Sequence, residues 1–307
     1  MTSGLTEITV VGDDDTGLIA RITALLFERE INIEDLDQAV RDGVFKMTMH
    51  VDAAEMATTR EALRADLHEL GEDLGVDVRV RFPAEQATRR IAILVTKESH
   101  CLERLLAAAD AGELDAEVSV VIGNHDDLHP LAAAHGIPFY DVGDAAGDPD
   151  EEWLLDILDD HRIDLVVLAR YMRILSPDVV FRYEHRIINV HPSLLPAFPG
   201  AQAYRQALEK GVRVAGVTAH YVTTDLDQGP IIVQRHFDVP TTAVTGEADV
   251  DTAVATMRDR GRPLEATALL EAVGLHLDDA IAVRHGRTTL GEVPNTEPPE
   301  AAPAALE

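Results

Sequence analysis

Along residues 5–82 the spacing of apolar residues switches repeatedly between the period of a strand and that of a helix. Ile8-Thr9-Val10-Val11 is a short β-rich run closed by Gly12-Asp13-Asp14-Asp15, a turn of solvated acids. From Gly17 to Glu30, Leu18, Ile22, Leu25 and Leu26 fall on one helical face. Ile31 to Val40 and Val44 to Val51 form a strand pair turned at Arg41-Asp42-Gly43. Thr58 to Leu70 is helical, and Val76 to Val80 closes the unit. The order βαββαβ predicts an antiparallel sheet with its helices on one face.

A different pattern follows. Residues 83–90 are a polar, Pro-containing linker, and Ile91 to Val95 is uninterruptedly apolar, as a strand buried on both faces must be. Helix 102–111, strand Val118 to Ile122, helix 128–134, helix 151–161 and strand Leu165 to Leu168 continue in βαβ order. Ile187 to Val190 and Val217 to Val222 are two further strands. The fold class is therefore α/β, with an N-terminal βαββαβ domain at 5–82 and a Rossmann-like domain at 91–291. Residues 292–307, with four Pro among Ala and Glu, read as a disordered tail.

Composition changes the picture in one respect. Acidic residues number 55 against 26 basic ones, a net charge of −29, and only Lys46, Lys97 and Lys210 of the basic set are lysine. An acidic shell poor in lysine suits a halophilic, salt-rich cytoplasm, where self-repulsion is screened. It argues against nucleic acid as a partner, because the phosphate backbone needs basic patches. Cys101 is the sole cysteine, which rules out an intramolecular disulfide or a cysteine-based metal cluster. The N-terminus lacks a basic region followed by an apolar run, and apolar stretches such as Leu165 to Ala169 are too short to span a bilayer. The expected location is cytoplasmic, with no membrane partner.

The candidate chemistry lies at Asn189-Val190-His191 and, thirty-six positions beyond His191, at Asp227. An amide can donate to a carbonyl oxygen that gains charge, an imidazole can move a proton near neutral pH, and a carboxylate can orient either the imidazole or a water. No Ser or Cys stands beside them in a strained elbow. The trio suits attack by an external nucleophile on a small carbonyl carbon.

The segments from Ile188 to Phe198, Thr218 to Val222 and Asp227 to Ile232 resemble the folate-dependent formyltransferase family. That resemblance implies a Rossmann-like fold with Asn189, His191 and Asp227 as the catalytic set. It also implies two pterin-facing loops, at Met172-Arg173-Ile174-Leu175 and from Val222 to Asp227. His220 either assists the trio or is a satisfied buried histidine. Residues 12–22 and Ile31-Asn32-Ile33 resemble an ACT domain, a module that typically binds amino acids. Gly17 opens a helix whose terminal amides suit a carboxylate, and Asn32 lies near the matching edge. These two are the candidate effector residues. The resemblance further implies a homo-oligomer and a detachable regulatory unit at 1–82.

Within the formyltransferase family the acceptor is the open question. A phosphate-bearing acceptor needs a glycine-rich amide cradle after the first strand, and Thr96 to Cys101 contains no glycine. The segments Val95 to Leu102, Ile122 to Asp126 and Ala169 to Leu175 resemble 10-formyltetrahydrofolate deformylases instead. That implies hydrolysis of a folate substrate to formate and tetrahydrofolate, balancing one-carbon pools for purine synthesis, with no metal and no cofactor. His191-Pro192-Ser193 departs from the deformylase His-His-Ser and matches glycinamide ribonucleotide formyltransferases, which stay an alternative. A non-catalytic amino-acid-responsive regulator is another. His125 and His129 are four apart, a metal-ligand spacing on a helix, but they overlap the deformylase-like segment. Residues 241–262 depart from the family pattern and receive no site.

Overall fold

The computed structural model describes residues 5–82, 88–240, 249–284 and 286–290. The 292–307 tail, linker residues 83–87 and positions 241–248 lie outside the described residues.

Strand β1 (Thr6–Asp13), helix α1 (Leu18–Glu28), strands β2 (Asn32–Arg41) and β3 (Val44–Asp52), helix α2 (Arg60–Leu74) and strand β4 (Val76–Arg81) follow the predicted order. The strands form one antiparallel sheet in the order β2-β3-β1-β4. Alternation along β1 and β3 gives the sheet two unlike faces. Ile8, Val10, Met47 and Met49 meet Leu18 and Ile22 of α1 and Leu63 and Leu67 of α2 in one apolar core. Thr59 starts α2 by accepting the Ala62 N–H, and Gly75, at φ 68°, ends it beyond the predicted stop.

The second domain contains β5 (Arg89–Val95), α3 (His100–Asp110), β6 (Ala116–Gly123), α4 (His129–Ala134), β7 (Phe139–Asp141) and α5 (Glu151–Asp160). Then come β8 (Leu165–Leu168), α6 (Pro177–Arg182), β9 (Ile187–His191), α7 (Ala203–Glu209), β10 (Val214–Tyr221), β11 (Ile231–Asp238) and α8 (Val250–Leu277). A hairpin of β12 (Ile281–Arg284) and β13 (Arg287–Leu290) completes the described chain. The large sheet runs β11-β10-β9-β8-β5-β6-β7, parallel from β9 to β7 and antiparallel at β10 and β11. Along β5, Ile91, Ile93 and Val95 enter one core with α3 and α8, while Ala92 and Leu94 enter another with α5 and α6. Burial on both faces is why this strand is uninterruptedly apolar.

Two expectations change. The linker ends earlier than position 90, because Arg89 and Arg90 pair with Ala116 and Glu117 as the first residues of β5. Their side chains leave the sheet to reach carbonyl oxygens of His276 and His161. The first domain also looks less detachable than its sequence suggests. Its polar sheet face is covered by α6, which packs on β1 and β3. Lys46, 1% exposed, pairs with Glu184, Glu7 lies 3.2 Å from Arg186, and Arg182 pairs with Asp77.

Candidate active site

The antiparallel register of β9 and β10 sets Asn189 opposite His220 and His191 opposite Thr218, at the end of β9 where open α/β sheets bind ligands. Opposed residues share a face, so Asn189 Nδ2 reaches His220 Nε2 at 3.3 Å. His220 is 2% exposed, and its Nδ1 lies 2.9 Å from the Tyr221 carbonyl oxygen. Burial lowers the His220 pKa below the usual imidazole value, although that carbonyl and Asp227 pull the other way. The neutral ring then donates from Nδ1 and accepts the Asn189 amide at Nε2. One Asn189 N–H is thereby held, and the amide plane is fixed.

Asp227 comes back to this point through the loop between β10 and β11. The Tyr221 N–H donates to the Pro230 oxygen, and Asp227 itself takes φ 54°. A Cβ at Gly229 would lie 1.7 Å from the Tyr221 oxygen, so only glycine permits this reversal. The returned carboxylate accepts the Gly200 N–H at 2.7 Å and faces His191 Nδ1 at 3.3 Å through Oδ2. Its Oδ1 lies 3.8 Å from His220 Nε2. His191 Nε2 is 2.9 Å from the Phe198 carbonyl oxygen. The turn after β9 presents that carbonyl, held by Ser193 Oγ donating to Ala197 O and by Thr218 Oγ1 donating to Ser193 O.

The four side chains open on a cleft of about 370 Å³, also lined by Met172, Arg173, Ile174, Leu175 and Val222. Met172 and Ile174 are 53% and 74% exposed, apolar surface at the mouth. Thr96 Oγ1 accepts the Met172 N–H and donates to Asn124 Oδ1. Arg173 lines the wall, yet its guanidinium donates to Asp148 and to the Ala146 oxygen. Gly17 and Asn32 do not line this cleft and are not brought together. They sit at opposite ends of α1, whose 11 residues span about 16 Å at about 1.5 Å per residue. Asn32 donates to Glu34.

Arg170, also in the cleft wall, received no role from its sequence. It takes φ 63° and points at Glu98 (3.2 Å) and at Glu265 of α8 (3.4 Å). Burial opposes its charge, but Glu265 and Glu98 outweigh that and raise its pKa. Glu265 also meets His100 Nε2 at 3.0 Å and accepts the Tyr204 hydroxyl at 3.1 Å. Its pKa is lowered, because the His100 hydrogen bond and Arg170 together exceed the opposing effect of burial. Donor atoms of His100, Cys101 and Glu265 lie within 4.8 Å of one another. Burial and then Glu265 push the Cys101 thiol up, and Arg170 already neutralises the carboxylate, so the geometry favours an ion pair over a cation site. His125 precedes the 3-10 turn Asp126–Leu128 in extended conformation and His129 begins α4, so the pair does not share a helix. The signal for Arg170 was its place in Ala169-Arg170-Tyr171; Glu265 offered none.

A formyl transferase family model matches residues 89–273, and an ACT domain model matches 7–81. Formyltetrahydrofolate deformylase of Escherichia coli strain K12 is 42% identical over 283 residues, covering 90% of this chain and 95% of that protein. The deformylase of Bacillus subtilis is 36% identical over 281 residues, covering 90% of each. Among solved structures, a formyltetrahydrofolate deformylase of Pseudomonas syringae aligns with a TM-score of 0.60 at 30% identity, over 94% of each chain. A glycinamide ribonucleotide transformylase of Symbiobacterium toebii aligns at 0.60 and 33% identity, but over 67% of this chain against 96% of its own. With both domains accounted for in order, the chain belongs to the formyltetrahydrofolate deformylase family.

Proposed function

We propose that the chain hydrolyses 10-formyltetrahydrofolate to formate and tetrahydrofolate, with water as the acceptor. One observation carries the reading: Asn189, His191 and Asp227 converge on one cleft of about 370 Å³ without a side-chain nucleophile among them. Water held at Asp227 Oδ1 attacks the formyl carbon and gives its proton to the Asp227–His191 pair. The carbonyl oxygen becomes an oxyanion and takes the Asn189 N–H that His220 leaves free, a contact worth about 10²–10³ in rate at comparable sites. His191 then returns the proton to N10 as the C–N10 bond breaks. Met172 and Ile174 supply an apolar edge for the pterin, and the backbone from Val222 to Asp227 its polar reading. His220 acts on Asn189, as a positioning residue.

A specific observation keeps glycinamide ribonucleotide as the competing acceptor: Pro192 follows His191, as in the transformylases. The turn after β5 opposes it, since Lys97 lies 3.5 Å from Asp127 and Glu98 faces Arg170, leaving a carboxylate where a phosphate would need donors. Tetrahydrofolate formation, common to both reactions, is measured with and without the ribonucleotide, and formate, which only hydrolysis releases, is measured beside it. We expect equal rates; turnover confined to the sample with ribonucleotide overturns hydrolysis.

The amino-acid effector belongs with Gly17 and Asn32 only if two copies meet, because one chain keeps them at opposite ends of α1. Strand β2 is an edge, and Leu36, Val40 and Phe27 are exposed on the same domain, which supports self-association there. No described helix is long and apolar enough to cross a membrane.

A further inference from the structure

The loop that carries Asp227 is gripped from the other domain. Arg41, at the end of β2, donates from Nη1 to Asp225 Oδ2 at 3.0 Å and from Nη2 to Asp225 Oδ1, across 184 positions of sequence. A guanidinium paired with both oxygens of one carboxylate fixes orientation as well as distance. Asp225 is two residues from Asp227, at most about 7 Å of chain. Its carbonyl oxygen organises the loop, accepting Thr223 Oγ1 at 3.1 Å and the Gln228 N–H at 3.2 Å. The Asp225 side chain is 46% exposed and that of Asp227 6%, so one carboxylate faces outward to Arg41 while the other faces His191.

Arg41 stands on a braced support. It pairs with Val44 across the turn Asp42-Gly43, whose φ values of 51° and 85° are those of a tight two-residue hairpin. The Asp14 N–H donates to the Gly43 oxygen at 3.0 Å and ties this tip to the turn after β1. Lys46 in β3 pairs with Glu184, which anchors the same hairpin on the second domain. The Arg41–Asp225 pair is about half exposed on both sides and adds little to stability. Its effect is on position. Asp227 holds φ 54°, a sparsely populated conformation that persists only where its surroundings impose it.

We propose that Arg41 is a positioning residue for the reaction: through Asp225, the first domain holds the loop that aims the Asp227 carboxylate at His191 and at the attacking water. Given the role of Asp227 proposed above, on which this rests, a loop released from Arg41 misaims that carboxylate. The first domain thus bears on turnover without touching substrate.

Tetrahydrofolate formation by the full-length protein is measured with the ribonucleotide present, so that either acceptor is served. We expect Arg41→Gln and Asp225→Asn each to lower kcat about tenfold, part of the loss of about 10²-fold that a shift near 1 Å brings. Melting temperatures should stay near wild type, which separates misaiming from misfolding. The double variant should fall no further than the worse single one, because both remove the same contact. Arg21→Gln, which breaks a 3.9 Å pair with Asp73 inside the first domain, should leave kcat unchanged. A kcat for Arg41→Gln within about twofold of wild type, too small for a 1 Å shift, overturns the role of Arg41. Losses that multiply in the double variant do the same, and so does an equal loss in Arg21→Gln. A wild type that forms no tetrahydrofolate overturns the functional reading itself, and the role of Arg41 with it.

Discussion

Replacing Asp227 by Asn keeps an acceptor for the Gly200 N–H and removes the charge that faces His191 Nδ1. Turnover should fall by about 10²–10⁴ while folate binding and melting temperature stay near wild type, since shape survives and proton handling does not. Steady-state formate release beside folate fluorescence titration checks this, and turnover above about a tenth of wild type would remove Asp227 from the mechanism. Gly229→Ala probes the same carboxylate through the backbone. The new Cβ, 1.7 Å from the Tyr221 oxygen, forces the loop to move. A displacement near 1 Å costs about 10²-fold in rate, so Gly229→Ala should mimic Asp227→Asn without altering any reacting group; retained activity would show that the loop has slack. Asn189, His191 and Asp227 were legible because their chemistry sits in side chains within short motifs. The Phe198 carbonyl and the Gly200 N–H that hold His191 and Asp227 were not, because any residue carries those atoms.

At the scale of elements, the sequence pattern recovered the βαββαβ unit and the buried strands β5 and β8, where period and burial agree. It assigned no element to α8, a helix of 28 residues that runs through Gly261 and Pro263, residue types that locally disfavour a helix. Gly261 is there because a Cβ would lie 1.7 Å from the Tyr204 hydroxyl, which must pass to reach Glu265. Tertiary packing overrides local propensity here. The same helix supplies His276, whose Nδ1 lies 2.8 Å from the Tyr221 hydroxyl. Burial, and then Arg89, lower its pKa from 6.5 to about 4. A depressed histidine leaves the fold at full strength above the unfolded value. As pH falls from 6.5 towards 4 the unfolded chain takes a proton that the folded one refuses, and stability is lost. The loss is up to about 3 kcal/mol. His276→Gln keeps an acceptor for Tyr221 and removes the titration. Its unfolding free energy should therefore fall less steeply than that of wild type between pH 6.5 and 4, by denaturant melts at each pH. Parallel profiles would mean that His276 is protonated in the fold.

For the whole molecule, two electrostatic effects change with salt in opposite directions. Ion pairs such as Lys46–Glu184, Arg79–Asp159 and Arg81–Asp164 tie the domains together and are strongest in dilute salt. This seam was invisible in the sequence, because its partners lie 138, 80 and 83 residues apart. The more exposed of them, such as Arg79–Asp159, contribute only about 0.2–1 kcal/mol each, Lys46 and Asp164 are buried, and the total grows with the number of pairs. Repulsion among the 29 excess negative charges grows with the square of the net charge. Its reach decides the outcome. The Debye length rises from about 3 Å at 1 M salt to about 30 Å at 0.01 M, while the radius of gyration of a compact chain this long is about 19 Å. In molar salt each charge sees only its neighbours; in millimolar salt every carboxylate on the folded chain repels every other. Repulsion should therefore win, and the melting temperature should fall substantially as sodium chloride is lowered across that range at fixed pH. Calorimetric melts across the series test this. A melting temperature that holds constant, or rises on dilution, would show that the paired charges dominate and that the acidic surface is no adaptation to salt.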